Sequence, residues 1–196
     1  MFKRILLLMT AFIFMASVAF ATPGEDVKKT VDEVVHIVAS KEMKKNPAKR
    51  RQALKKSIST IFDYSEMAKR SMGKYWNVRT AAEKKNFTEL FAALLENSYA
   101  SKIESYNNEK IVYIKDLVDG DYAEVRSKVI TPARDEFTLD YRLAKQNGKW
   151  MVYDVIIEGV SLVSNYRSQF NKIISANGYN KLVEKLQSKN QELKAP

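Results

Sequence analysis

At 196 residues, with 33 Lys and Arg against 23 Asp and Glu, the chain is basic and carries a formal charge of +10. It contains no cysteine, which excludes disulfides, thiol nucleophiles and thiolate metal sites. Its single histidine, His36, lies between Val35 and Ile37 in a predicted helix, just off the apolar stripe, which argues against a catalytic triad or a histidine-held metal.

The elements begin with an address. Lys3-Arg4, an apolar run from Ile5 to Phe20 and Ala19-Phe20-Ala21 form the charged, apolar and Ala-x-Ala parts of a secretory signal. Residues 1–21 are therefore expected to be cleaved and 22–196 to form one domain, a size that buries a sizeable core. The apolar run is about 16 residues, short of the roughly 20 that a spanning helix needs. Loss of Lys3 and Arg4 leaves +8, and +7 of that lies between Lys41 and Lys56. There Lys41, Lys44, Lys45, Lys49, Arg50, Arg51, Lys55 and Lys56 meet a single acid, Glu42. Export makes nucleic acid the wrong partner for this segment. An anionic lipid surface or an acidic protein face suits it, with Lys49, Arg50 and Arg51 as the docking residues. A solvated helix face without a partner is the plain alternative.

Four helices are expected first. Val27, Val31, Val34, Val35 and Val38 recur at helical spacing after Pro23; Asn46-Pro47 opens a second helix carrying Leu54, Ile58, Ile61 and Phe62. Asp63, with Glu66 three residues on, caps a short third. Thr80 to Glu83 is a capping box for a fourth, whose stripe Phe87, Leu90, Phe91, Leu94, Leu95, Tyr99 and Ile103 should lie across a sheet. The period then drops to two. Ile111–Val118 and Asp121–Thr131 flank Asp119-Gly120, while Phe137–Lys145 and Trp150–Ile157 flank Asn147-Gly148. Strict alternation puts Met151, Tyr153, Val155 and Ile157 on one face of the last strand and Trp150, Val152 and Ile156 on the other. After Glu158-Gly159, Leu162 to Ala176 forms a helix that stops at Asn177-Gly178, and Tyr179 to about Leu193 a second. The fold class is α+β: a curved four-stranded antiparallel sheet with helices packed over its concave face.

The run Tyr153-Asp154-Val155-Ile156-Ile157-Glu158-Gly159-Val160-Ser161-Leu162, with its two following helices, resembles the MlaC family of periplasmic phospholipid-binding proteins, also called the toluene-tolerance family. Asp63 to Trp76 (DYSEMAKRSMGKYW) and the helix from Thr80 support the likeness, which covers the chain after the leader in order. It implies an NTF2-like or cystatin-like arrangement enclosing an apolar cavity for acyl chains. It also implies a monomeric periplasmic carrier, without cofactor or metal, that maintains outer-membrane lipid asymmetry. Its partners would be phospholipid, an outer-membrane lipoprotein complex and an inner-membrane ABC transporter bearing an MCE-domain protein.

The cavity candidates come from every stripe. Helices supply Met67, Tyr75, Phe87, Phe91, Leu94, Leu95, Tyr99, Leu162, Tyr166 and Phe170; strands and the Gly159 corner supply Val129, Phe137, Leu139, Tyr141, Met151, Tyr153, Val155, Ile157 and Val160. Head groups would lie near Arg126, Lys128 or Arg142. The same stripes also describe a filled core in a structural or adaptor domain. Enzyme motifs are scarce: there is no Gly-rich phosphate loop, HExxH or GxSxG. A cone-pocket enzyme would use Asp154 or Asp140 as general base, yet both alternate away from the aromatic face. A structural role for Asp154, bonded to backbone or to a basic neighbour, is expected instead.

Overall fold

The structure, a computed structural model, describes residues 21–194; the expected leader, Ala21 apart, lies outside them. Capping chemistry legible in the sequence closes the helices. In α1 (Pro23–Ala39) Thr22 accepts from the Glu25 amide while the Glu25 carboxylate accepts from the Thr22 amide at 2.8 Å, a capping box. Ser40 caps α2 (Lys41–Lys44), a single turn that the apolar pattern does not announce. Asn46 caps α3 (Pro47–Ile58), and Asp63 caps α4 (Tyr64–Met72) by accepting from the Glu66 amide at 2.9 Å. Gly73, at φ 54°, ends α4 and opens a 3₁₀ turn to Tyr75. The expected capping box of Thr80 and Glu83 starts α5 (Ala81–Glu104).

The chain then forms an antiparallel meander of β1 (Lys110–Asp119), β2 (Tyr122–Ile130), β3 (Glu136–Gln146), β4 (Lys149–Ile157) and β5 (Val160–Ser161), paired in that order. The sheet thus has five strands rather than four. Glu158 (φ 50°) and Gly159 (φ 77°) fold the two-residue β5 back onto Ile156 and Ile157. The last helix, α6 (Leu162–Lys194), breaks at Gly178 (φ 80°, ψ 170°) into the two expected segments.

One bulge changes which residues face inward. Arg142 pairs with Asp154 but Leu143 pairs with Val152, so Tyr153 is an extra residue in β4. Beyond it the alternation slips by one. Val155 and Ile157 therefore share a face with Val152 and Trp150, while Met151 and Tyr153 leave it, which corrects the strict alternation read from the sequence. This inner face also carries Ala123, Val125, Tyr141 and Leu143, and its cover is α1, through Val27. The Gly24 amide donates to the Asp116 carboxylate of β1 at 2.8 Å, and a Cβ at Gly24 would stand 2.5 Å from that group. A larger residue at Gly24 would require the Asp116 carboxylate to move aside.

Helix α5 does not lie across the sheet. Its stripe packs on other helices: Phe87, Phe91, Leu94 and Leu95 meet Met67, Ala68 and Met72 of α4 and Val163, Phe170 and Ile174 of α6. The rings decide this, with Phe91 edge-on to both Tyr166 (5.1 Å) and Phe170 (5.4 Å), and Phe87 edge-on to Phe170 (5.6 Å). The far end of α5 reaches the α1–α3 pair, where Ile103 and Tyr106 pack beside Ile37, Val38 and Leu54.

Candidate functional site

Among the described residues the buried apolar side chains form two large clusters, with a smaller third between α1 and α3, rather than one continuous core. One is helical, built from α4, α5 and α6; the other is the inner sheet face with α1. Phe62 and Leu162 pack against both. Each stands at a junction with the outer edge of β4. Phe62 makes a parallel bridge to Val152, flanked by Val152 N–H to Ile61 C=O (2.7 Å) and Asp63 N–H to Val152 C=O (2.9 Å). Leu162 follows β5 directly. Thus α4 and α6 both leave the sheet from one edge, and the helical cluster hangs beside that edge.

Along the seam between the clusters, apolar side chains are half-buried. From the sheet these are Leu139 and Ile157; from the helices they are Tyr64, Tyr99, Leu162 and Tyr166; Phe137 is half-buried on β3 outside both clusters. Leu162, Tyr166 and Phe170 recur every four residues and so share one face of α6. Of the candidates read from sequence, Val129, Tyr141 and Val155 are buried on the sheet side, and Met67, Phe87, Phe91, Leu94, Leu95 and Phe170 are buried on the helix side. Tyr75 packs half-buried at the helical cluster and Val160 is 59% exposed at the β5 turn. Phe62, expected in the stripe of the second helix, lies beyond the end of α3 at Ile58 and packs against both clusters instead, and Tyr64 is not among the cavity candidates read from the sequence. Ile61-Phe62, an apolar pair directly before the cap Asp63, was the available signal for the placement of Phe62.

Each cluster also holds tyrosines, Tyr64 on the helical side and Tyr113 and Tyr141 on the sheet side. Burial pushes the phenols of Tyr64, Tyr113 and Tyr141 well up, with Glu96, Asp32 and Tyr113 respectively adding to it, so all three remain protonated donors at any ordinary pH. The Tyr113 hydroxyl is buried with no hydrogen-bond partner among the described residues and belongs to a cavity of about 130 Å³ between α1, β1 and the end of α5, lined also by Val31, Val35, Tyr106 and Ile111.

The three cations expected near head groups stand on the face of the sheet opposite the inner apolar cluster. Arg126, Lys128 and Arg142 project from the outer sheet face, away from Leu139 and Tyr141. Arg126 and Arg142 share Glu124 (2.8 and 3.4 Å), and the Arg126 hydrogen bond, with Arg142 adding to it, holds that carboxyl below its usual range. Both line an open groove of about 370 Å³ with Leu117, Val118, Tyr122 and Tyr153, while Arg70 stacks 3.8 Å over Tyr153. Lys128 pairs with Glu136 at 2.7 Å.

Asp154 has a structural explanation. It is 4% exposed and accepts from the Ser161 hydroxyl at 2.5 Å and from the Val163 amide at 3.0 Å, with Arg142 at 3.7 Å. Ser161 in turn accepts from the Ser164 amide at 3.0 Å. Together they satisfy two free amides at the start of α6, where a negative charge also meets the positive end of the helix. Asp140 accepts from the Ser127 amide at 2.9 Å. Among the described residues no cluster of three or more His, Cys, Asp or Glu side chains is arranged to hold a metal, and no helix is long and apolar enough to cross a membrane.

Known proteins share this architecture. The family model described as MlaC protein matches residues 28–188. The Toluene tolerance protein ttg2D of Pseudomonas putida is 30% identical over 180 residues, 90% of this chain and 84% of that protein. The Intermembrane phospholipid transport system binding protein MlaC of Haemophilus influenzae is 22% identical over 194 residues, 95% of this chain and 91% of that protein. The solved structure of a phospholipid-binding protein from Ralstonia solanacearum in complex with a phospholipid superposes with a TM-score of 0.81 at 27% identity, over 89% of this chain and all of that one. The chain belongs to the MlaC protein family.

Proposed function

We propose that the protein is a periplasmic phospholipid carrier whose cargo inserts its tails along the seam between the sheet cluster and the helical cluster. The observation that carries this reading is the likeness, in fold and sequence, to a structure solved with a phospholipid bound. On this reading the sheet and its flanking helices form an NTF2-like cone. The carrier exchanges lipid between an outer-membrane lipoprotein complex and an inner-membrane ABC transporter bearing an MCE-domain protein, without cofactor or covalent chemistry. Asp154 supports that last point, because its oxygens are committed to capping α6.

Energetics set what the seam must do. Burying about 30 methylenes at roughly 0.8 kcal/mol each contributes on the order of 24 kcal/mol relative to water, but a bilayer offers the same. The carrier therefore needs an apolar seam that matches the membrane, not a tight grip. A rigid empty void of about 500 Å³ would cost on the order of 12 kcal/mol, close to the whole stability of a domain. Tails accordingly enter by parting the two clusters about Phe62 and Leu162, and the clusters close when the lipid leaves.

Native mass spectrometry of the purified protein should show a phospholipid mass that organic extraction removes. The stripped protein should melt lower, and added lipid should restore it, since a ligand of the folded state stabilises by mass action. Leu139→Trp, at a half-buried seam position, should reduce the bound lipid. Val155, at 8% exposure, is too enclosed to accept the same change without overpacking. A bare protein that takes up no lipid from vesicles would defeat the proposal.

A further inference from the structure

The basic segment resolves into two kinds of cation. Lys49 pairs with Glu42 (2.9 Å), Arg50 and Arg51 with Glu104 (3.6 and 3.3 Å), and Lys55 with Glu96 (2.9 Å). The arginines are thus turned toward α5, and Arg50, with a side chain 15% exposed, is largely covered. The residues read from sequence as docking cations are those engaged within the chain. What remains is Lys41, Lys44, Lys45 and Lys56, all exposed, with no carboxylate of the described residues within ion-pair distance.

From this we infer that the α2–α3 face is a docking surface for an anionic lipid bilayer, held by Lys41, Lys44, Lys45 and Lys56. Two features favour lipid head groups over a protein. A stable protein interface needs a central apolar or aromatic anchor and is poor in lysine. The exposed side chains here are lysines and other polar groups apart from the small Pro47 and Ala48, and Met43, the apolar side chain of α2, is half-buried against the α1–α3 cluster. Flexible ammonium groups suit a mobile array of phosphates, whereas the planar guanidiniums suited to fixed bidentate partners are spent on Glu104. The cluster beneath these lysines includes Tyr106, which also lines the 130 Å³ cavity with Val31 and Val35. Docking by this face brings that end of the molecule to the bilayer. Surface binding is independent of cargo, so it stands or falls apart from the carrier reading.

The test is sedimentation of the processed protein with vesicles at low salt. Binding should appear on vesicles of equimolar phosphatidylglycerol and phosphatidylcholine, be weak on phosphatidylcholine alone, and fall steeply with added salt. Each lysine near an anionic surface contributes roughly fivefold, so changing all four to Gln should weaken binding on the order of several hundredfold. Changing Lys85, Lys172 and Lys185, exposed on α5 and α6, to Gln should leave the greater part of the binding in place. The inference is overturned if the protein binds both vesicle types equally, if the two sets of changes weaken binding alike, or if it ignores anionic vesicles at low salt and uses this face on an acidic protein instead.

Discussion

Replacing Phe91 by alanine lowers the unfolding free energy by about 3–5 kcal/mol, the range for a large aromatic removed from a packed core. Phe91 is fully buried and stacks 5.9 Å from Phe87 while meeting Tyr166 and Phe170 edge-on, so one ring couples α5 to α6 at several points. A domain of this kind has about 5–15 kcal/mol in total, so the loss is a large share. Urea unfolding at equilibrium, with the denaturant slope unchanged, measures it. Val160→Ala, at an exposed turn, should stay within about 0.5 kcal/mol. A loss of under about 1 kcal/mol for Phe91 would mean that its ring lines open space instead of joining helices.

The second large effect is at Asp154. Its conversion to alanine removes a buried acceptor of two hydrogen bonds at the start of α6 and costs about 3 kcal/mol, since bonds to a charged group are worth roughly 1.5–3 kcal/mol. Asp154→Asn keeps an acceptor for the Val163 amide and should cost about half as much. Arg142, with a side chain 43% exposed, can turn to water once the carboxylate is gone, which limits the penalty. Thermal melts of the two variants, alongside the amount of lipid each carries, separate roles. The structural role predicts lower melting with the lipid content of the folded protein unchanged. An activity that disappears in Asp154→Asn while its stability is intact would return the cone-pocket enzyme to consideration.

What the sequence made legible was local chemistry. Thr80 with Glu83, Asn46-Pro47, Asp63 and the Asn147-Gly148 turn act through neighbours a few residues away, and each appears where expected. The facing of β4 was not legible, because Tyr153 looks like any strand residue and becomes a bulge only through pairing with β3. The partner of α5 was hidden for a similar reason. A stripe of Phe and Leu announces a buried face but not whether a sheet or helices bury it. Likewise the +7 segment showed how many cations there are, while their sorting depends on Glu96 and Glu104, some forty to fifty residues downstream. The seam itself follows from two long-range events, the docking of α1 through Asp116 and the departure of α4 and α6 from one edge of β4.

A phospholipid with a photoreactive group in its tail would report whether the tails lie between the two clusters, as the proposed carrier requires. After loading and irradiation, peptide mapping should find adducts on both sides of the seam: on Leu139 or Ile157 of the sheet, and on Leu162, Tyr166 or Tyr99 of the helices. Adducts confined to the outer groove, at Val118, Tyr122 or Tyr153, would contradict it and place the cargo on the opposite face of the sheet.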